Sequence, residues 1–223
     1  DRTWEIIQEY AKRDERIVAI KNEKNLNVAK TRNKGIEIAS GRYIVTMDSD
    51  DISYPDRLSE QFYFLTKNEK DVDICIGNMN VVDELGKSRY IREYPTSDVD
   101  LKTKVYRYNP FPNPTIMCKR SIYDDIGGYD PCFVVNEDFD FWLRAGVKYK
   151  FGNCGKTVLS YRVNPKSASH SKLRLTEKIT LKLRWKAFRL GYKIKIVDIF
   201  FNIAHIISYL LLPAKVKINY LIF

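Results

Sequence analysis

The amino-acid sequence predicts an α/β fold with a mostly parallel sheet, followed by C-terminal helices. Short apolar segments alternate with segments of helical periodicity over residues 1–162, which is typical of strands connected through helices. The apolar segment 43–47 leads directly into Asp48, Asp50 and Asp51. Ligands of α/β folds bind beyond the carboxyl ends of buried strands, so this junction is the expected functional site.

The predicted elements follow one another with short connections. Helices are expected at 2–13, 28–39, 54–67, 121–126 and 137–147, and strands at 17–20, 43–47, 72–77, 115–119 and 157–162. Residues 81–94 alternate polar and apolar side chains around a Glu84–Gly86 turn, which predicts a hairpin. Residues 95–114 are rich in Pro, Tyr and Asn and are expected to form a loop or a short helix.

Local signals define the ends of two of these helices. Asn27 is a suitable N-cap for a helix that starts at Val28, and Gly41 is a stop signal after it. Ser53 and Pro55 mark the start of the next helix. The acidic cluster therefore lies in a strand-to-helix loop, where phosphate groups are commonly bound.

Asp48 and Asp50 are two residues apart, so on an extended backbone their carboxylates point to the same side. Two such carboxylates repel each other unless a cation lies between them. A hard divalent ion held by one or two carboxylates and completed by substrate phosphates is the usual magnesium arrangement. The alternative interpretation is a solvated acidic turn without a ligand.

The residues around this cluster form a longer ordered pattern. From the N- to the C-terminus it comprises Asn25, Arg32, Asn33, Gly35, Ile36, Ala39, Gly41, Tyr43, Ile44, Asp48, Asp50, Asp51, Pro55, Arg57, Leu58 and Gln61. This pattern resembles the signature of family 2 glycosyltransferases, an inverting family with the GT-A fold, a Rossmann-like α/β/α sandwich that binds nucleotide-diphospho-sugars. Asn27 stands where the family usually has Gly, and Thr31 where it usually has Ala. Asn tolerates a left-handed backbone, so we expect the loop to survive the first change.

The resemblance implies a donor site around the acidic turn. Asp48 and Asp50 are expected to hold Mn²⁺ or Mg²⁺ and the diphosphate of the donor, for which a UDP-sugar is the expectation. Further donor contacts are expected from Asp51, Lys30, Arg32, Asn33 and Arg162. Asn164 stands where relatives often have His, which in some of them contributes to the metal site. Its carbonyl oxygen is the expected third protein ligand, and His170 is the alternative. Solvated surface cations, and a structural salt bridge at Arg162, are the alternatives.

A second acidic cluster, formed by Glu137, Asp138 and Asp140, precedes Phe141 and Trp142. Carboxylates in the first turn of a helix also stabilise the helix dipole, which is the alternative interpretation. The resemblance implies that Asp138 is the general base for the acceptor hydroxyl, with Glu137 as a rival base or an orienting partner. Trp142 is the expected acceptor contact.

The basicity of the chain belongs to its C-terminal part. Residues 171–223 hold 11 Lys and Arg against 2 acidic residues, so they carry +9 of the total charge of +10 and leave +1 for residues 1–170. We therefore expect a catalytic domain over 1–170 and a basic helical tail over 171–223. No nucleic-acid recognition motif accompanies the basic residues, so nucleic acid is not an expected partner.

The apolar segment 196–212 of this tail is marginal for a membrane-spanning helix, which needs about 20 residues. Its polar residues Asp198, Asn202, His205 and Tyr209 share one helical face. Together with the basic residues, this pattern favours an interfacial helix on the cytoplasmic membrane surface, with the protein peripheral on the inner face. A helical subdomain packed on the catalytic domain is the alternative.

The cysteine pattern argues against a metal centre built from thiols. Four widely spaced cysteines and two histidines exclude a zinc site and fit a reduced, cytosolic compartment. No signal peptide is visible. Residues 1–12 resemble the helix after the second strand of the family, so the chain is expected to lack the first strand and its loop. Without that strand the sheet would expose an edge.

The family resemblance, together with the tail, implies an inverting, metal-dependent glycosyltransferase that moves a sugar from a nucleotide-sugar to a glycan or lipid-linked acceptor in surface polysaccharide biosynthesis. A catalytically inactive remnant that serves as a membrane-attached interaction module is the alternative. A nucleotidyltransferase also combines acidic metal ligands with an α/β sheet. Such enzymes usually carry a Gly-rich loop and a basic N-terminal signature, and neither is visible in this sequence.

Overall fold

The structure, a computed structural model, describes residues 1–163 and 172–211. Its helices are α1 (Thr3–Arg13), α2 (Val28–Ile38), α3 (Arg57–Lys67), α4 (Asp98–Lys102), α5 (Ser121–Ile126), α6 (Glu137–Lys148), α7 (Leu173–Arg189) and α8 (Ile196–Leu211). Its strands are β1 (Tyr43–Val45), β2 (Ile52–Ser53), β3 (Ile74–Val82), β4 (Ser88–Arg92), β5 (Met117–Lys119) and β6 (Phe151–Arg162). The helices expected at 2–13, 28–39, 121–126 and 137–147 are confirmed, whereas the helix expected from residue 54 begins at Arg57.

The expected hairpin is confirmed, and one expected strand is not formed. β3 and β4 pair antiparallel around a turn in which Gly86 adopts a φ of 83°, a conformation that favours glycine. The strand expected at 17–20 was wrong: its first residue, Ile17, bonds back to the carbonyl of Asp14, and the segment has no strand partner among the described residues. A β-rich composition forms a strand only where a neighbouring strand accepts its backbone bonds.

The prediction of a mostly parallel sheet was wrong, because the sheet is mixed. The strand order is β1-β5-β3-β6-β2, and β4 pairs with β3. Among the described strands, β3 and β6 pair parallel, and the other four pairs are antiparallel. Alternation along the sequence predicts parallel neighbours only where a helix connects two adjacent strands, and here the neighbours come from distant segments. β1 lies at an edge of the described sheet.

The core lies between the sheet and α6. Phe111 stacks on Phe151 of β6 with ring centroids 4.4 Å apart, and Phe139 and Trp142 of α6 pack against the same two rings. Eight of the 12 residues of α6 are buried, so its position relative to the sheet is fixed by tight packing. The N-terminus of α6, which carries the second acidic cluster, is therefore held rigidly.

Two asparagines adopt positive φ at the starts of the helices that carry acidic-site residues. Asn27 has a φ of 69° and caps α2 through its Oδ1, which accepts the Lys30 N–H at 3.0 Å. Asn136 has a φ of 58° immediately before α6. The expected tolerance of Asn27 for a glycine-like backbone is thus confirmed.

The tail helices pack on the domain rather than extending from it. Asn136 donates its amide to Thr180 Oγ1 of α7 at 2.9 Å, and the Tyr106 hydroxyl donates to the Tyr192 carbonyl at 2.8 Å. Tyr192 in turn donates its hydroxyl to the Leu143 carbonyl at 2.9 Å. Within the described ranges, no helix is both long and apolar enough to cross a bilayer.

Candidate active site

The two acidic clusters, far apart in sequence, are joined by one arginine. Arg32 of α2 donates from Nη2 to Asp48 Oδ1 at 2.8 Å and from Nη1 to Glu137 Oε1 at 2.6 Å. Its side chain is 24% exposed, so both charge-assisted bonds are partly shielded from water. The structure therefore brings the β1 acidic turn and the start of α6 into one site.

The acidic residues after β1 lie in a turn and not on an extended strand. β1 ends at Val45, and the Asp51 N–H donates to the Asp48 carbonyl at 3.2 Å. The argument that Asp48 and Asp50 point to one side because of strand geometry was therefore wrong. Arg162 fixes this turn by donating from Nε to the Asp50 carbonyl at 3.1 Å.

Asp51 anchors the turn to the end of β6. Its Oδ1 accepts the backbone N–H of Arg162 at 3.0 Å, while its buried Oδ2 has no partner among the described residues. Burial raises the pKa of Asp51 to about 6, because the ionised carboxylate is poorly solvated there and the neighbouring Asp48 and Asp50 add to the cost. Asp51 therefore has a structural role in addition to any contact with a ligand.

A buried arginine holds the backbone that leads into the acidic turn. Arg57 is fully buried and donates from Nη2 to the carbonyls of Thr46, at 2.9 Å, and Pro114, at 2.7 Å. Its Nε donates to Gln61 Oε1 at 3.0 Å, and Gln61 donates to the Thr115 carbonyl at 2.7 Å. Burial lowers the pKa of Arg57 to about 10, which leaves the guanidinium charged at neutral pH. The motif residues Arg57 and Gln61 thus position the chain just before Asp48.

Asp138 has the properties expected of a general base. Burial raises its pKa to about 6, and the adjacent Glu137 acts in the same direction, while the cationic Arg32 opposes both. Asn109 Nδ2 lies 3.4 Å from Asp138 Oδ2. A carboxylate with a raised pKa is a stronger proton acceptor than an ordinary aspartate, and it is still ionised at neutral pH.

The acceptor contact expected at Trp142 was wrong. Its side chain is 0% exposed, and its indole N–H donates to Asn113 Oδ1 at 3.0 Å. Asn113 Oδ1 also accepts the Tyr129 hydroxyl at 3.2 Å, and the Thr46 hydroxyl donates to the Asn113 carbonyl. Trp142 and Asn113 therefore belong to a buried polar network beneath the site and cannot touch a bound acceptor.

Two other predicted site residues, Asn33 and Lys30, lie on α2. Asn33 brackets the backbone of Tyr129, donating to its carbonyl at 2.7 Å and accepting its N–H at 2.8 Å. Lys30 is exposed on α2, two residues before Arg32. Asn164 lies outside the described residues. Their expected roles at the donor or the metal stay predictions.

A cavity of about 410 Å³ adjoins Arg32 along the open edge of β1. It is lined by one face of α2, by β1 and the two residues after it, and by Tyr129. The guanidinium of Arg32 also lies over the Tyr129 ring, 5.7 Å from its centroid. Its lining ends at Met47, directly before Asp48, and its volume can hold part of a small-molecule ligand.

The oxygen ligands at the acidic turn fit a hard cation that shares its coordination with a ligand. Among the described residues, no three His, Cys, Asp or Glu side chains form a ready metal cage. Asp48 and Asp50 nevertheless offer carboxylates on one short turn, and Asp51 has an unpartnered buried oxygen beside them. One or two carboxylates completed by phosphate oxygens is the arrangement that Mg²⁺ and similar ions adopt.

Sequence reasoning missed the residues that hold the site together. Asn109 lies in the segment 95–114, for which the sequence predicts only a loop or a short helix. Arg57 and Gln61 belong to the family pattern, which by itself gives them no role. A signal was present for the last two, because polar residues at helical spacing among apolar neighbours indicate a buried hydrogen-bonded pair. No local signal distinguishes Asn109, which approaches Asp138 only through the tertiary fold.

Comparison with known proteins decides the family. The model of "Glycosyl transferase family 2" matches residues 1–135, which is more than half of the chain. The chain belongs to glycosyl transferase family 2. This family 2 chain is 33% identical over 189 residues to the uncharacterized glycosyltransferase MJ1057 of Methanocaldococcus jannaschii, covering 82% of this chain and 64% of that protein.

Two further comparisons bear on the fold and on the site. WfaP of Escherichia coli, named UDP-Glc:alpha-D-GlcNAc-diphosphoundecaprenol beta-1,3-glucosyltransferase, is 30% identical over 179 residues, covering 78% of this chain and 66% of WfaP. The structure of S. aureus TarS residues 1–349 with UDP-GlcNAc superposes with a TM-score of 0.62 at 17% identity, covering 82% of this chain and 54% of that one. The expected family and its GT-A fold are confirmed. The chain spans about half to two thirds of the length of these relatives.

Proposed function

We propose that this chain is the catalytic part of an inverting, metal-dependent glycosyltransferase that moves a sugar from a UDP-sugar to a glycan or lipid-linked acceptor. The observation that carries the proposal is the double ion pair of Arg32 with Asp48 and Glu137. Through it, the carboxylates suited to the donor diphosphate and those suited to the acceptor hydroxyl share one site. An inverting transfer needs both groups at once.

Asp138 takes the proton in the proposed reaction. The acceptor hydroxyl oxygen attacks the anomeric carbon, its proton passes to the Asp138 carboxylate, and the bond from that carbon to the diphosphate oxygen breaks with both electrons leaving on the diphosphate. Glu137 and Asn109 orient the base, since Glu137 is fixed by Arg32 and Asn109 lies 3.4 Å from Asp138. A single displacement of this kind inverts the anomeric configuration.

Asp48 and Asp50 are the proposed ligands of a Mn²⁺ or Mg²⁺ ion, with Asn164 as a third. When bound, such an ion supplies positive charge for the leaving diphosphate. Lys30, Arg32, Asn33, Asp51 and Arg162 are proposed donor contacts or supports of that contact. The support for Arg162 is that its Nε donates to the Asp50 carbonyl, in the turn that carries the proposed metal ligands.

The names of the relatives support the substrate classes. WfaP is named for a UDP-glucose donor and a diphosphoundecaprenol-linked sugar acceptor, and for a β-linkage. TarS was solved with UDP and with UDP-GlcNAc. A lipid-linked acceptor is confined to a membrane, so we propose that the enzyme acts in surface polysaccharide biosynthesis, peripherally on the inner face of the cytoplasmic membrane.

The proposal is tested by donor binding and by transfer, measured separately on the full-length protein. We expect calorimetry to detect binding of UDP or a UDP-sugar that depends on Mn²⁺ and is lost in Asp48→Asn and Asp50→Asn. Asp138→Asn is the matched control, since it changes the same group without touching the diphosphate side: it should bind the donor normally and lose transfer. Failure of the wild-type protein to bind any nucleoside diphosphate or nucleotide-sugar overturns the proposal.

A further inference from the structure

The polar face of helix α8 packs on the protein and its apolar face is exposed, which is the reverse of a helix on the surface of a soluble protein. Its polar stripe faces the protein: Asp198 is 0% exposed, its Oδ1 accepts from Arg107 Nε at 2.7 Å, and Asn202 donates to the Tyr106 carbonyl at 3.0 Å. His205, one further turn along the stripe, lies 2.7 Å from Arg184 of α7. Hydrogen bonds and ion pairs, rather than apolar contacts, therefore attach α8 to the domain.

The opposite face of α8 is apolar and exposed. We define the outer face of α8 by five residues on one side of the helix, namely Phe200, Ile203, Ile207, Leu210 and Leu211. Phe200 is 67% exposed and Leu211 is 73% exposed. Soluble proteins rarely leave a continuous apolar patch of this kind open to water, so the outer face marks a surface that is covered by something else.

Exposed basic residues precede α8 in the chain and lie along α7. Lys193 and Lys195 are exposed directly before α8, and Lys178, Lys182 and Arg189 are exposed on α7. The two acidic residues between 172 and 211, at positions 177 and 198, are both buried. The exposed surface of this helical pair therefore carries basic residues and no acidic ones within the described range.

Helix α7 also carries two exposed aromatic rings. Trp185 and Phe188 are exposed and stack on each other with centroids 5.5 Å apart. At 100° per residue they share one side of α7 with Lys182 and Arg189. Exposed aromatic rings beside basic residues are typical of segments that lie at the boundary between headgroups and acyl chains.

We propose that the outer face of α8, together with the exposed basic residues of α7 and of the segment before α8, docks into an anionic lipid bilayer. The described part of α8, 16 residues, is shorter than the roughly 20 needed to span a bilayer, and its polar stripe is bonded to the domain, so we place the helix in the plane of the headgroups. A second copy of the chain fits this surface less well, because two such faces would bring like charges together, whereas anionic headgroups complement them.

Docking of α8 sets the position of the acceptor side of the site, and this step rests on the proposed function. Arg107, held by Asp198 of α8, is two residues from Asn109, which contacts the proposed base Asp138. The segment that approaches the base is thus fixed by the polar stripe of the docked helix.

The test measures binding of the full-length protein to vesicles by flotation, without donor or acceptor. We expect binding to vesicles of phosphatidylglycerol and phosphatidylethanolamine, and much weaker binding to pure phosphatidylcholine. Replacing two outer-face residues, as Phe200→Glu with Ile207→Glu, should weaken binding at least about tenfold, since each large apolar side chain contributes about tenfold when buried. Lys193→Gln with Lys195→Gln should reduce the preference for anionic lipid.

The matched control is Leu85→Glu with Val99→Glu, which removes two exposed apolar side chains elsewhere and adds the same charge. It should bind vesicles as the wild type does, and all variants should retain wild-type binding of UDP. Wild-type protein that fails to bind anionic vesicles, or an outer-face variant that binds equally well, overturns the inference. If the wild type does not bind vesicles but forms a dimer in solution, and the outer-face substitutions dissociate that dimer, the face is assigned to a second copy of the chain instead. Loss of vesicle binding with UDP binding intact leaves the transferase proposal standing.

Discussion

Arg107 Nε donates a hydrogen bond to Asp198 Oδ1 at 2.7 Å, and this bond connects the last described helix to the segment beside the proposed base. Asp198 is fully buried, and its Oδ2 also accepts the Lys195 N–H at 3.1 Å, at the start of α8. One carboxylate therefore both caps α8 and fixes the segment that leads to Asn109. At this point a buried ion pair holds the tail and the catalytic domain together.

Asp198→Ala is expected to destabilise the protein by about 2 kcal/mol, because it removes charge-assisted bonds from Arg107 and leaves that guanidinium without its partner. Asp198→Asn keeps an acceptor oxygen and should lose less. Thermal unfolding of both variants measures the difference. Equal stability of wild type and Asp198→Ala would contradict the structural role assigned to the pair.

Arg32→Gln is expected to lower transfer by about ten- to a hundredfold, since it removes two charge-assisted bonds of about 1–3 kcal/mol in total at the site. The cation at Arg32 also lowers the pKa of Asp138, which stands at about 6. Protonated Asp138 cannot accept a proton, so activity falls as the pH decreases through about 6. Without Arg32 this acid limb should move to higher pH.

The measurement for Arg32 is the pH profile of kcat/KM in wild type and variant. Arg42→Gln is the matched control, because it removes the same charge from an exposed position before β1. An acid limb that stays in place in Arg32→Gln would separate Arg32 from the base. A limb that persists in Asp138→Asn would assign the proton transfer to another group.

Asp51→Asn is expected to stabilise the protein at neutral pH more than in acid. The folded pKa of Asp51, about 6, lies above its ordinary value because burial disfavours the ionised form. Protonation is thus favoured by folding, and this contribution to wild-type stability is present below about pH 4 and is lost as the pH rises through about 6. Asn cannot ionise and keeps the Oδ1 acceptor for Arg162, so the difference in unfolding temperature should grow over that interval.

The control for Asp51 is Asp71→Asn, which makes the same substitution at an exposed carboxyl. Unfolding temperatures of the three proteins across the acid to neutral range give the comparison. A difference between Asp51→Asn and wild type that does not change with pH would show that Asp51 ionises as freely in the folded state as in the unfolded chain.

Local patterns in the sequence determine the helices well and the sheet poorly. α2 begins at the Asn27 cap, α5 ends at Gly127 in the left-handed conformation, and the apolar periodicity of α6 lies within the helix itself. The order of the strands depends on pairing between distant segments, such as β1 with β5, and no local signal encodes that pairing. The mixed sheet was therefore missed although its strands were largely located.

The candidate site shows the same division. The acidic residues at 48, 50, 137 and 138 were singled out from their spacing and from the family pattern, and Arg32 does bring both groups together. The prediction for Trp142 was wrong because Trp142 lies one turn after Asp138 on the same side of α6. A helical wheel does not show how the burial of side chains changes along the helix axis. One turn, about 5.4 Å, separates a carboxylate at the site from an indole inside the core.

Trp142→Phe is expected to lower the unfolding temperature without changing the KM for the acceptor. The substitution removes the indole N–H that donates to Asn113 and leaves a small cavity, at a cost of about 1–3 kcal/mol. Asn109→Ala is the contrasting variant, because it alters a side chain beside Asp138 and should reduce kcat. An increased acceptor KM in Trp142→Phe, with unchanged stability, would restore the acceptor role.

Asn27→Gly is expected to stabilise the protein by about 1 kcal/mol. Asn27 has a φ of 69° and a ψ of 170°, a region that glycine adopts freely and other residues adopt at a cost of about 1–3 kcal/mol. Glycine gives up the cap to Lys30 and the bond to the Pro131 carbonyl, but a glycine N-cap costs only a few tenths of a kcal/mol relative to Asn. Asn27→Ala keeps the strained backbone and loses both bonds, so it should be less stable than wild type. Thermal unfolding of the pair decides the matter: a glycine variant as unstable as the alanine variant would mean that the bonds of Asn27, and not its backbone, control this loop.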